Sequence, residues 1–170
     1  MLLQLNAYSE VDPGKLMELY AEGNLENAED LYPDMGKDES VKKVEADFLT
    51  YLQQDFFRST MPTYWILEEN GQWVSALRLN RLRPELYYLQ ALETRPDSRR
   101  KGYAARLINE VIDRLKEEGP FRICDCVNKR NVPSLRTHLK CGFEIVSEEG
   151  YDYLSGETSQ RHYGMCYRFE

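Results

Sequence analysis

Hydrophobic spacing switches several times along this chain between helical and strand patterns, and the switch points outline its elements. Residues 2–8 predict a first strand. Asp12-Pro13 then marks a helix start, because an Asp carboxylate caps free amides and Pro fills a first-turn position that needs none. Leu16, Leu19 and Tyr20 give that helix its apolar stripe. A looser helical pattern covers 24–32 and ends before Pro33. Ser40 stands where a third helix would take its N-cap. After it Val41, Val44, Phe48, Leu52 and Phe56 recur at intervals of three and four.

Near residue 62 the pattern changes. Tyr64–Glu69 and Trp73–Leu82 are aromatic and aliphatic runs on either side of Asn70-Gly71, a strong hairpin signal. Arg83-Pro84-Glu85 turns the chain into Leu86–Thr94, which is apolar at both parities and so reads as a central strand covered on two faces. From 102 the helical period returns, with Ala104, Leu107, Ile108, Val111 and Leu115 facing a core, and Gly119-Pro120 stops it. Phe121–Val127 predicts another strand. Asn131 caps a short helix with Pro133 in its first turn, and Gly142 ends it. Phe143–Leu154 and Arg161–Phe169 predict a closing hairpin. The order predicts an α/β (α+β type) fold in one domain over 1–170, a mixed sheet with helices on its faces.

Composition narrows the function classes. The chain carries 22 Lys and Arg against 29 Asp and Glu, a net charge of −7. An acidic protein without aromatics interleaved among its basic residues is not expected to take nucleic acid as its partner. No apolar run is long enough to span a membrane, and the N-terminus lacks a basic start and apolar stretch, so a cytoplasmic location is expected. The four cysteines, Cys124, Cys126, Cys141 and Cys166, have no zinc spacing and read as reduced thiols. No metal site is expected.

The chemistry concentrates where the central strand ends. After Leu92-Glu93-Thr94 comes a Pro-containing loop, and a helix then begins with Gly102 and Ala104 in its first turn. Helix N-terminal amides lack intrahelical partners and sit at the positive end of the dipole. Small residues let a phosphate approach them, and Arg99, Arg100 and Lys101 add positive charge beside the turn. The stretch Arg99–Ala104, with Tyr103 in it, therefore reads as a diphosphate cradle. Dinucleotide and P-loop glycine patterns are both absent.

A second motif follows the next strand: Asn131-Val-Pro-Ser134-Leu-Arg-Thr-His138-Leu-Lys140-Cys-Gly142-Phe143. Together the two motifs resemble the GNAT family of N-acetyltransferases. That family's acetyl-CoA signature, Gln/Arg-x-x-Gly-x-Gly/Ala, is matched by Arg99, Gly102 and Ala104, with Thr94-Arg95-Pro96 in place of its usual Val-x-Pro. Its later motif is matched by Asn131, Ser134, Lys140, Gly142 and Phe143, with His138 where tyrosine is usual. The resemblance implies a mostly antiparallel twisted sheet of about seven strands that splays between the fourth and fifth. It also implies that acetyl-CoA pairs with the backbone near Leu92–Thr94, lays its pyrophosphate on the amides of 99–104, and has Asn131 and Ser134 flanking its thioester.

Chemically, the resemblance implies transfer of the acetyl group to a primary amine of a small molecule or peptide, by direct attack in a ternary complex. An amine of reference pKa about 10.4 must lose a proton first. Glu93 is the candidate base, with Glu68 and Tyr88 behind it. His138 is the candidate acid for the departing thiolate. Tyr151, Tyr153 and Tyr163 are placed to line an acceptor pocket. The departure at His138 leaves a competing reading, a non-catalytic acyl-CoA-binding module on the same fold. An exposed final strand would offer a homodimer interface.

Overall fold

Local capping chemistry sets most element starts in the computed structural model, which describes residues 1–170. Strand β1 (Leu2–Leu5) is shorter than expected, because Glu10 turns back to accept from the amides of Asn6 and Ala7 and closes a 3-10 turn at Tyr8–Glu10. Helix α1 (Pro13–Leu19) begins as expected, with Asp12 Oδ1 accepting from the Lys15 amide at 3.1 Å. Helix α2 (Ala21–Leu31) follows almost without a break. Helix α3 (Lys37–Gln54) starts before Ser40, whose hydroxyl is buried inside the helix and donates to the Lys37 carbonyl at 2.9 Å. The cap expected at Ser40 is therefore an interior position.

Strands β2 (Pro62–Glu69) and β3 (Gln72–Arg83) form the Asn-Gly hairpin, and β4 (Leu86–Thr94) pairs antiparallel with β3. Helix α4 (Tyr103–Lys116), β5 (Phe121–Asn128) and α5 (Val132–Lys140) come next. The closing segment is not one hairpin. Phe143–Leu154 divides into β6 (Glu144–Ser147) and β7 (Gly150–Tyr151), the latter pairing with β8 (Thr158–Ser159) in a small separate ribbon before β9 (His162–Phe169).

The main sheet runs β1-β2-β3-β4-β5-β9-β6, antiparallel throughout except for the parallel β4–β5 pair. The final strand β9 is thus interior, and β1 and β6 are the edges. One face of the sheet receives α4, whose Leu107, Ile108, Val111, Ile112 and Leu115 pack on Leu67, Leu77, Leu89 and Ile123. The other face receives α1 and α3 through Leu16, Leu19 and Leu52, and the 3-10 turn after α3 through Phe56, over Tyr64, Ile66 and Ala76. Each fully buried aliphatic side chain here contributes roughly 1.5–3 kcal/mol.

Two backbone features open the sheet at its centre. Strands β4 and β5 pair only over Leu86–Tyr88 with Arg122–Cys124, and beyond that point they part. At the same place β4 bulges: its register with β3 jumps from Gln90 opposite Arg78 to Glu93 opposite Ala76, and Ala91 takes φ 52°. An extra residue on one strand bends it and re-aims the residues beyond the bend.

Candidate active site

The splay opens a cleft of about 850 Å3 between the end of β4, the start of α4 and the start of α5. Leu92, Glu93 and Thr94 form one wall, Arg99, Arg100, Gly102, Tyr103 and Ala104 the next, and Asn131 and Ser134 a third. Helix α2 closes the mouth with Glu22 and Glu26. Nearly all the expected donor-binding residues therefore share one cavity.

The loop before α4 turns sharply into the helix. Arg100 (φ 61°) and Gly102 (φ 81°) both take left-handed backbone, which only glycine adopts without strain. Gly102 is the N-cap and offers no side chain, so the first-turn amides of α4 stay uncapped and face the cleft. Lys101 departs from expectation. Its ammonium donates to the Asp97 carbonyl at 3.1 Å and does not line the cleft, because the loop's alternating turn points it outward.

Arg99 spans the mouth. Its guanidinium lies 2.5 Å from Glu22 on α2 and 3.3 Å from Glu93 on β4. Arg95 makes a parallel tie, 2.7 Å to Glu18 on α1. Helices α1 and α2 are thus tied to the segment between β4 and α4 by two ion pairs. Glu93 also accepts from the Thr94 amide at 3.0 Å. Burial raises its pKa above the ordinary carboxylate range, only partly offset by that amide and by Arg99.

His138 does not face the cleft, as an acid in direct contact with the thioester would. Its side chain is 1% exposed, and its Nε2 lies 2.8 Å from Asp125 Oδ2, close but poorly aligned for a straight hydrogen bond. Its Nδ1 is 2.8 Å from the Ser134 carbonyl and 3.4 Å from the Ser134 hydroxyl. The helical spacing of 134 and 138 and the core position of α5's inner face turn the imidazole toward β5. It reaches the cleft only through Ser134. Asn131 caps α5, accepting from the Ser134 amide at 3.1 Å.

On the opposite face of the splay, Tyr88 meets Tyr153 (5.4 Å between ring centroids), and Tyr151 meets Tyr153 at 4.9 Å. The β7–β8 ribbon holds these rings close because Gly150 sits so near β9 that a Cβ there would lie 2.7 Å from the His162 Cβ. Tyr163 does not join them. Successive β9 residues alternate faces, and it packs toward the α4 core with Lys129 over its ring at 4.8 Å. Glu68 is engaged elsewhere, by Lys15 at 3.1 Å.

Sequence reasoning missed a buried tyrosine chain. The Tyr64 hydroxyl donates to Tyr20 (2.8 Å), and the Tyr20 hydroxyl donates to the carbonyl of Ala91 in the bulge (2.8 Å). Nothing in a strand pattern marks a bulge, so its anchor was invisible. Asp125 was also missed, although an acidic residue within the run Ile123–Val127 was a signal available in the sequence.

All four cysteines are free, with Cys124 and Cys166 directly opposite each other on β5 and β9, 3.8 Å apart at sulfur. No three His, Cys, Asp or Glu side chains stand close enough together to hold a metal ion. No helix is long and apolar enough to cross a membrane.

Comparisons with known proteins agree with this fold. Solved structures share the fold over essentially the full length. The chain is similar to the PaiA N-acetyltransferase of Thermoplasma acidophilum, solved in complex with coenzyme A (TM-score 0.64, 12% identity, 99% of each chain covered). It is also similar to the Campylobacter jejuni N-acetyltransferase PseH, solved in complex with acetyl coenzyme A (TM-score 0.62, 14% identity, 100% of each chain). An acetyltransferase of Streptococcus agalactiae gives a TM-score of 0.63 at 17% identity, covering 99% of this chain and 98% of that one. No curated protein sequence matches. The Acetyltransferase (GNAT) family model matches residues 25–143, a span running from α2 through the donor loop to the end of the second motif, and the chain belongs to that family of acetyltransferases.

Proposed function

We propose that this protein transfers the acetyl group of acetyl-CoA to a primary amine of a small molecule or peptide, by direct attack in a ternary complex. The observation that carries this reading is the meeting, in one cleft, of uncapped α4 amides with the bulged end of β4. The residues present fit the donor. The amides of 99–104, with Arg99 and Arg100, suit its pyrophosphate, and the open backbone at Leu92–Thr94 suits its amide-bearing arm. Acetyl-CoA supplies an acyl group activated as a thioester.

The chain's own groups then have distinct tasks. Glu93 faces the acceptor side and takes the ammonium proton, directly or through a water, its raised pKa matching it to that work. A backbone amide beside the bulge donates to the oxygen that gains charge as the carbonyl becomes tetrahedral. Ser134 lines the cleft and can hand a proton to the leaving thiolate, with His138 behind it as the reservoir. His138 thus keeps a part in acid catalysis at one remove. The family membership and the gathering of nearly all the expected donor residues in one cleft favour this over a non-catalytic module. A cytoplasmic location and a small-molecule or peptide partner belong to the same reading. A homodimer, if formed by strand pairing, would use β1 or β6 and not β9.

Thermal unfolding with acetyl-CoA tests the donor site. At about 100-fold excess over the dissociation constant, one site adds roughly 2.7 kcal/mol, which for this size raises Tm by about 5–10 °C. Ala104→Asp, which sets a carboxylate on the phosphate seat, should abolish that rise without lowering the unliganded Tm by more than a few degrees. No rise in the wild type would remove the donor cradle.

Tyr20→Phe tests the bulge anchor. Losing two hydrogen bonds, and with them the acceptor of the buried Tyr64 hydroxyl, costs about 2–4 kcal/mol of stability. Freeing the oxyanion donors by a fraction of an ångström should lower kcat by about 10-fold or more. The dissociation constant for acetyl-CoA, measured by calorimetry, should stay within about 2-fold, since the phosphate cradle is untouched.

A further inference from the structure

The sheet carries a second cavity at the end opposite the donor cleft. It measures about 880 Å3 and lies between the Pro84 turn, the Pro120 turn and the last residues of β9. Strands β4 and β5 run parallel, so the cleft opens where β4 ends and this cavity opens where both strands begin. No helix contributes to its lining.

Three arginines line it, Arg83, Arg122 and Arg168. They stand in one row across the sheet. Arg83 on β3 is opposite Leu86 on β4, Leu86 is opposite Arg122 on β5, and Arg122 is opposite Arg168 on β9. Residues opposite one another in a sheet project from the same face, and adjacent strands lie about 4.8 Å apart. Arg122 and Arg168 are therefore like charges placed directly opposite, an arrangement that destabilises a sheet.

The protein itself does not neutralise this row. The arginines that form ion pairs are Arg81, Arg95, Arg99, Arg106 and Arg114. Arg83, Arg122 and Arg168 have none, and no guanidinium of the three donates a hydrogen bond to an oxygen of the protein. Glu85 and Glu170 also line the cavity but pair with none of them. The lining side chains thus keep more positive than negative charge, in a chain whose net charge is −7.

The frame around the row is held in place. Arg81 donates to the Pro84 carbonyl at 2.8 and 3.2 Å and pairs with Glu118 at 3.0 Å, and the Arg122 amide donates to the Glu85 carbonyl at 2.9 Å. Cys124 lies two residues along β5 on the same face. Its thiol pKa is lowered first by the Cys166 thiol, with Tyr153, Arg122 and Arg168 adding to this against burial. Both guanidiniums thus hold their charge over this face.

We propose that the row binds the phosphate group of a small phosphorylated molecule, at a site separate from the acetyl-CoA cleft. A phosphate monoester carries a charge of about −1.5 to −2 and three terminal oxygens. It can meet guanidiniums from three strands and cancel the repulsion between Arg122 and Arg168, whereas a carboxylate brings one charge and two oxygens. The cavity exceeds a phosphate ion in size, which leaves room for the organic part beside Leu86 and Phe169. Its place also matters to the cleft. Leu86 opposite Arg122 begins the short paired stretch that joins β4 to β5 before they part, so a ligand held by β3, β5 and β9 braces the strands whose separation forms the donor site.

The test keeps the donor cleft filled. With coenzyme A saturating, inorganic phosphate, phenyl phosphate and glucose 6-phosphate are titrated at constant ionic strength while Tm is followed, with glucose and a short single-stranded oligonucleotide as controls. At least one small phosphate probe should raise Tm by about 3 °C or more, and glucose should not. Arg122→Gln and Arg168→Gln should each weaken that binding about 10-fold or more. Each also removes a repulsion, so neither should lower the unliganded Tm, which certifies folding. Ala104→Asp, measured without coenzyme A, should keep the phosphate response, which separates this site from the phosphate seat of the cleft. No rise with any small phosphate probe, or a rise that survives in the Arg122→Gln, Arg168→Gln double variant, overturns the inference. A rise confined to the oligonucleotide overturns the small-ligand assignment and makes the row a nucleic-acid contact.

Discussion

Glu93→Gln is expected to lower kcat by about 100-fold or more while leaving the acetyl-CoA dissociation constant within a few-fold of wild type. General-base assistance is worth roughly 10²–10⁴ in rate, and glutamine keeps the shape while losing the basicity. The pH profile separates this from a packing effect. Only the ionised carboxylate accepts a proton, so the wild-type rate must fall as pH drops through the Glu93 pKa. Burial places that pKa above the ordinary carboxylate range, so the acid limb should lie correspondingly high. The limb should vanish in Glu93→Gln. A variant that keeps both its rate and its limb would assign the proton transfer to another group. Arg99 gives a second check: it holds Glu93 and Glu22 together, and replacing it should alter the limb as well as weaken the donor.

His138→Ala is expected to produce the largest loss of stability of any change in the site. It leaves Asp125, 8% exposed, without the imidazole that stands 2.8 Å away. Removing one partner of a buried pair costs about 3–5 kcal/mol, which for a domain of this size lowers Tm on the order of 10 °C. The pH dependence has a definite sign. For His138, burial pulls the pKa down, but the Asp125 carboxylate and the Ser134 carbonyl outweigh it and leave the pKa raised. A raised imidazole stabilises the fold fully below its unfolded pKa, and that contribution fades as pH rises through the folded value. Burial also raises Asp125 despite the imidazole, so its ionisation above the ordinary carboxylate range opposes folding, and more strongly once His138 is gone. The difference in Tm between the two proteins should therefore be widest between those two transitions and narrow at alkaline pH. Circular dichroism melts from acid to alkaline pH read it directly. A gap that widened steadily into alkali would contradict the pairing.

Features decided within a few residues are legible in the sequence alone. Asp12-Pro13, Asn131 with Pro133 and Asn70-Gly71 act through local capping and turn geometry, and each stands where its chemistry implied. The start of α4 at Gly102 and Ala104 is legible for the same reason, since a helix start is a local event. Features decided by distant pairing are not. Ser40 has an N-cap's chemistry, but its amide already bonds to the Gly36 carbonyl and its hydroxyl to the Lys37 carbonyl inside a helix that begins at Lys37. The break between β6 and β7 depends on what β9 can pair with, which no reading of 143–154 alone reveals. The bulge at Ala91 is a mismatch between two strands, and so belongs to neither sequence. His138 and Lys101 show the same limit at side-chain scale, because their direction depends on which neighbour offers a partner.

The insertion of β9 between β5 and β6 fixes an order of events as the chain leaves the ribosome. Strand β6 is made first yet meets the main sheet only through β9, so it has nothing to dock on until residues 162–169 emerge. Until then β5 presents an open ladder edge, the kind of surface that invites pairing with other chains. The half of the molecule carrying β1–β4 and α4 can consolidate earlier, since its packing partners precede residue 120 apart from β5 and the tail. All the walls of the cleft precede residue 141, so a nascent chain stalled short of β9 would hold them while the outer edge of β5 still lies unpaired.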